Sequence, residues 1–174
     1  MPSSRILISS RTLTSVTNGV TFSSIPQTYS DLVIRMTART DGADPDRYEF
    51  WTNSDDGGPN FGTTTLRATG TTVSSVRNSS SGGIFAYYQM VGGGATASTF
   101  NSAEIYVPNY TNGSSGNPIS LTGVAENNSS TGNGLGISAG LRTATGAITS
   151  VTVWGGGYSF QSGSTFYLYG IKSS

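Results

Sequence analysis

The stretch Asp31-Leu32-Val33-Ile34-Arg35-Met36-Thr37-Ala38-Arg39 alternates along its length. Leu32, Ile34, Met36 and Ala38 fall on one side and Val33, Arg35, Thr37 and Arg39 on the other, which is the two-residue period of a strand with one face buried. The period recurs at Ala103, Ile105 and Val107 against Glu104 and Tyr106. It returns at Ala147, Thr149, Val151 and Val153 against Ile148 and Trp154, and at Phe166, Leu168 and Gly170 against Tyr167, Tyr169 and Ile171. In the last two runs both sides carry large apolar groups, as in a strand covered on two faces. Further β-rich runs lie at 5–9, 13–17, 20–22, 47–53, 63–68, 71–77, 84–91, 118–126 and 134–141.

Turn signals separate these runs at short intervals: Asn18-Gly19, Asp41-Gly42, Asp56-Gly57-Gly58-Pro59, Gly92-Gly93-Gly94, Asn112-Gly113, Asn133-Gly134 and Gly155-Gly156-Gly157. Short strands between glycine-rich turns predict a sandwich or barrel. No long window carries apolar residues at helical spacing, so almost no helix is expected beyond a turn around Tyr29 to Leu32, where Ser30 and Asp31 are able to cap. Composition is uniform across all 174 residues, which reads as one domain.

Nine cations balance nine anions and Lys172 is the only lysine, which disfavours a nucleic-acid partner. His and Cys are absent, and with them go the usual general base, thiol nucleophiles, disulfides and the usual transition-metal ligands. No apolar run is long enough for a membrane span or a signal peptide.

The motifs that remain are weak. Asp41, Asp44, Asp46, Glu49, Asp55 and Asp56 crowd one stretch with oxygen ligands that suit calcium, but counting from Asp44 the sixth position is Glu49, where the helix-loop-helix calcium site needs glycine. The composition therefore implies neither a metal nor a cofactor. Glu49, Asp55, Asp56, Glu104 and Glu126 are the carboxylates from which a glycosidase pair would have to come. Gly136-Ile137-Ser138-Ala139-Gly140 matches G-x-S-x-G but sits inside a strand run with no helix after it, so no nucleophile elbow is expected and no catalytic residue is assigned. Exposed aromatic rings beside Asn- and Asp-rich loops suit a sugar, and Tyr48 and Trp51 are the candidate glycan contacts. The two-sided apolar pattern assigns Trp154, Phe166 and Leu168 to the core instead.

Four strings carry a resemblance. Residues 22–35, Phe-Ser-Ser-Ile-Pro-Gln-Thr-Tyr-Ser-Asp-Leu-Val-Ile-Arg, look like a segment near the N-terminus of small structural proteins of tailed bacteriophages, particularly phages of aquatic bacteria. Ala103 to Tyr110, Ala147 to Val151 and Gly163 to Ile171 resemble later segments of the same family, in order, so the likeness runs from 22 to 171 and leaves 41–100 without a counterpart.

The resemblance implies a jelly-roll-like antiparallel β-sandwich on the outer surface of the virion. The implied role is a capsid decoration or cement protein that binds the major capsid protein, expected as a homotrimer made in the host cytoplasm, with no nucleic acid, membrane or chemistry involved. The alternative is a receptor- or glycan-binding domain of a tail fibre. Ile6, Leu7 and Ile8 are the candidate capsid contact, as an N-terminal arm over 1–10 that adds a strand to the capsid protein. The competing expectation is that they form the first, edge strand of the sandwich itself.

Overall fold

The computed structural model describes residues 4–42, 46–129 and 134–172. Among these it is all-β, with twelve strands: β1 (Ser4–Thr12), β2 (Gly19–Phe22), β3 (Asp31–Thr37), β4 (Asp46–Thr52), β5 (Phe61–Thr69), β6 (Thr72–Ser81), β7 (Ile84–Met90), β8 (Ser102–Val107), β9 (Asn117–Val124), β10 (Leu135–Arg142), β11 (Val151–Trp154) and β12 (Thr165–Lys172). They form an eight-stranded sheet in the order β1-β12-β3-β8-β9-β10-β5-β6 and a four-stranded sheet in the order β2-β11-β4-β7, and every ladder is antiparallel. Without the β9–β10 hairpin and the flanking β1 and β12, the two orders become β3-β8-β5-β6 and β2-β11-β4-β7. That is the four-on-four arrangement of a jelly roll, widened here by an inserted hairpin and an added edge pair.

The alternating runs place the core as the sequence implies. Leu32, Ile34 and Met36 on β3, Ala103, Ile105 and Val107 on β8, and Phe166 and Leu168 on β12 all face the four-stranded sheet, which contributes Val20, Phe22, Tyr48, Phe50, Ile84, Val151 and Val153. Three expected details differ. The run from 147 becomes a strand only at Val151, because Asn53 Oδ1 accepts hydrogen bonds from the amides of Thr149 and Ser150 and pins them outside the ladder; Ile148 is buried and Thr149 exposed. Leu13 to Thr17 is not a strand: Leu13 is buried in the core and exchanges backbone hydrogen bonds with Gly163 and Ser164, and Thr17 forms an isolated bridge to Phe160. The turn at Tyr29 to Leu32 is not helical: β3 already begins at Asp31, whose carboxylate accepts from Tyr106 Oη and the Asn109 amide instead of capping.

The hairpin strand β10 inverts the usual rule. Its inward positions are Gly136, Ser138, Gly140 and Arg142, while Leu135, Ile137 and Leu141 point out to solvent at 51%, 55% and 46% exposure. The inside is small because β7 lies close beneath it. A Cβ on Gly140 would stand 2.5 Å from Ile84 Cδ1, and one on Gly136 would stand 2.8 Å from Gln89 Nε2. What fills the gap is a hydrogen-bonded cluster: Gln89 Nε2 donates to Ser138 Oγ at 3.1 Å, Ser138 and Thr65 share a bond of 2.9 Å, and the Phe85 carbonyl, 3.2 Å from each hydroxyl, accepts from the one whose proton is not used between them. Each buried polar group of this cluster has a partner, as burial demands.

Two substitutions test this packing by chemical denaturation. Leu168→Ala should cost about 2–5 kcal/mol, since the side chain is fully buried. Gly140→Val should cost about 1–3 kcal/mol through overpacking, whereas Ala139→Val on the outer face should change stability little; equal effects at 139 and 140 would mean that the faces of β10 are assigned the wrong way round.

Candidate functional site

Alternation within β4 sorts its side chains before any ligand is considered. Tyr48 and Phe50 point inward and are fully buried, while Arg47, Glu49 and Trp51 point outward. Tyr48 therefore cannot share a ligand surface with Trp51: its ring is core, and its hydroxyl donates to Gln89 Oε1 at 3.4 Å. Residues three apart on a strand face opposite ways, so the spacing of Tyr48 and Trp51 already contained this result.

The partner of Trp51 is Trp154, which is not core. β11 pairs with β4 so that Trp154 stands opposite Glu49 and Thr152 opposite Trp51, which sets both indoles on the outer face of the four-stranded sheet. Their ring centroids are 5.8 Å apart at an angle of 51°. Glu49, Trp51, Asp56, Gly57, Gly82 and Trp154 line a cavity of about 480 Å³, within the range of small-molecule sites. Burial pushes the Glu49 carboxyl up, and the Arg47 guanidinium, whose Nε donates to Glu49 Oε1 at 3.3 Å, only partly offsets that. Arg47 also lies over the rings of Phe85 and Tyr87, 5.5 and 5.7 Å from their centroids, so the aromatic surface continues onto β7 with a cation already in place.

The loop that carries Asp56 is held rather than free. Asn53 Nδ2 donates to the Ala147 carbonyl, and Asn60 Nδ2 donates to Asp55 Oδ1. A side chain at Gly82 would overlap the backbone of Gly57, which itself sits at a positive φ of 80°.

The other acidic candidates fasten turns. Asp41 Oδ1 accepts from the Ser159 amide, and Glu126 Oε1 accepts from the amides of Asn127 and Asn128. Asp44 and the side chain of Asp46 lie outside the described residues, and among those described no three metal-type ligands gather. Ser138 of the G-x-S-x-G string is buried at mid-strand within the Gln89 cluster.

Ile6, Leu7 and Ile8 lie on β1, which is hydrogen-bonded to β12 as an edge strand of the large sheet. Ile6 and Leu7 are 36% and 51% exposed, and Ile8, at a bulge in the ladder, packs against the core. The strand is fastened to the sheet: Arg5 Nη1 donates to Glu104 Oε2 at 3.1 Å, and Arg35 Nε donates to the same oxygen at 2.9 Å.

At the opposite end of the large sheet the outer face is apolar. The register sets Val73, Ala68, Leu135 and Val124 in one row across β6, β5, β10 and β9, with Leu66 and Ile137 paired in the next row and Leu141 further along. Six of these are large exposed apolar residues, from 46% at Leu141 to 68% at Val73. Together they form an exposed apolar cluster on neighbouring strands rather than scattered single residues, the kind of feature that marks an interaction surface. Nothing in the sequence reading marked it, because alternation identifies a strand without saying which side faces the core.

No family model, curated protein or solved structure matches the chain.

The Glu104 cluster yields a pH test. Burial alone would raise its carboxyl, but the hydrogen bonds from Arg35 and Arg5 outweigh burial and hold it below the usual range. A depressed folded pKa means stability present at neutral pH and lost as pH falls through the folded value. Glu104→Gln should therefore cost about 0.5–1 kcal/mol near neutrality in urea melts, and the gap to the parent should close below the carboxylate range. A gap that widens with acid would contradict the pairing.

Proposed function

We propose that this chain is a virion structural protein that works by assembly: a decoration or cement protein that binds the major capsid protein on the outside of a tailed-phage head, as a homotrimer, without covalent chemistry. The observation that carries the reading is the exposed apolar face of β9, β10, β5 and β6, where Leu66, Val73, Val124, Leu135, Ile137 and Leu141 meet solvent together. A flat face of this kind suits burial against another protein surface better than it suits a small substrate. A shell stabilised by many copies needs only a modest gain at each contact, multiplied over the lattice. The resemblance at 22–35, 103–110, 147–151 and 163–171 supplies the partner and its location.

The edge strand β1 supports the same reading. Its outer edge carries no strand within the described residues, and Ile6 and Leu7 are exposed along it, so a strand of the capsid protein has backbone groups to pair with. A second reading, a receptor-binding domain of a tail fibre, draws its support from the Trp51–Trp154 cavity, and copy number per particle separates the two.

The test uses capsids stripped of this protein. Parent protein should rebind in stoichiometric amounts, while the doubly substituted Leu135→Asp, Ile137→Asp protein, folded by its circular dichroism and melting curve, should lose at least tenfold in affinity. Equal binding by both proteins would overturn the assignment of this face.

A further inference from the structure

We infer that the cavity between Trp51 and Trp154 is a binding site for a neutral sugar ring of an oligosaccharide, with the indoles taking its C–H face and Glu49 and Asp56 accepting from its hydroxyls. The site is argued from the cavity alone and does not rest on the capsid assignment. Two features define its chemistry. The first is the half-buried tilted indole pair, an apolar wall built on adjacent strands and therefore fixed in position. The second is the pair of carboxylates that share the cavity with it, Glu49 from β4 and Asp56 from the loop held by Asn53, Asn60 and the Gly57–Gly82 contact.

A ligand must satisfy both. A purely aliphatic group would cover the indoles but leave the carboxylates stripped of water without partners, which is costly. A cation would satisfy the carboxylates and the rings, as in aromatic cages, but Arg47 is already paired with Glu49 and stacked on Phe85 and Tyr87 beside it. A second positive charge would have only the exposed Asp56 to balance it, beside the guanidinium already there. A pyranose is uncharged, has one face of C–H groups that lies flat on an indole, and carries hydroxyl donors around its rim. It matches the walls and adds no charge. A cavity of about 480 Å³ has room for such a ring.

The chain's only two tryptophans are these two, so its entire indole fluorescence reports on the site. The experiment titrates the 174-residue protein with a panel of neutral oligosaccharides (gluco-, manno-, galacto- and N-acetylglucosamine types) and with choline as the cationic control. The expected result is a saturable change in emission with at least one saccharide and none with choline. Asp56→Ala, an exposed loop change that leaves the core intact, should weaken binding about tenfold, as should Glu49→Gln; Trp154→Ala should abolish it. Because Trp154→Ala also removes packing, its melting curve is recorded, and the Asp56 variant decides if that protein does not fold. Saturation by choline with no response to any saccharide would assign the site to cations and overturn the proposal. So would a panel in which no saccharide saturates, or saccharide binding that is unchanged in both the Asp56 and Trp154 variants.

Discussion

The closeness of β7 to β10 governs much of the molecule's surface. Where the two sheets nearly touch, the inner positions of β10 hold only Gly136, Ser138 and Gly140, and the remaining space goes to Gln89, Thr65 and Ser138 in a shared hydrogen-bond network. The side chains that a strand of this composition would ordinarily bury are turned outward. The exposed apolar face is thus a consequence of how thin the sandwich is at this end, and exchanging the two faces of β10 would force Leu135 and Ile137 into the space occupied by Gln89.

Farther along the same sheet the sandwich is thicker. A single row crosses from Leu168 through Ile34, Ile105 and Leu121 to Ser138 and Thr65, apolar on the β12 side and hydroxylic on the β5 side. The outer face runs the other way: charged and aromatic at Arg35, Glu104, Tyr167 and Tyr169, apolar at Ile137 and Leu66. Arginine serves as the internal fastener throughout. Arg39 donates to the carbonyls of Thr96, Thr99 and Ala95, and the largely buried Arg142 donates to those of Thr145 and Gly146. The planar multi-donor group suits these loop anchors in a way that a lysine would not.

How much of this was legible in the sequence depends on what each signal encodes. Alternation at 32–38 and 103–107 set strand and face together, because one side of each run was more apolar than the other; at 166–171 both sides carry apolar groups, and the structure buries Phe166 and Leu168 while Tyr167 stays exposed. At 135–141 the strand was legible but its face was not, since that is set by β7, some fifty residues away. The apolar pattern on both sides of its run assigns Trp154 to the core, whereas its neighbour Val153 holds the inward position opposite Phe50. The strand boundary at Val151 depends on hydrogen bonds that the Thr149 and Ser150 amides donate to a distant Asn53, which no local pattern announces. The candidate cavity was therefore half visible, as Trp51 without its partner.

The central claim is that the outer face of β9, β10, β5 and β6 is made to be covered. A cryo-electron map of the assembled particle tests it most directly: Leu66, Leu135 and Ile137 should lie within van der Waals contact of the capsid protein in every copy. A map in which that face meets open solvent, with the chain attached through another surface, would contradict the account.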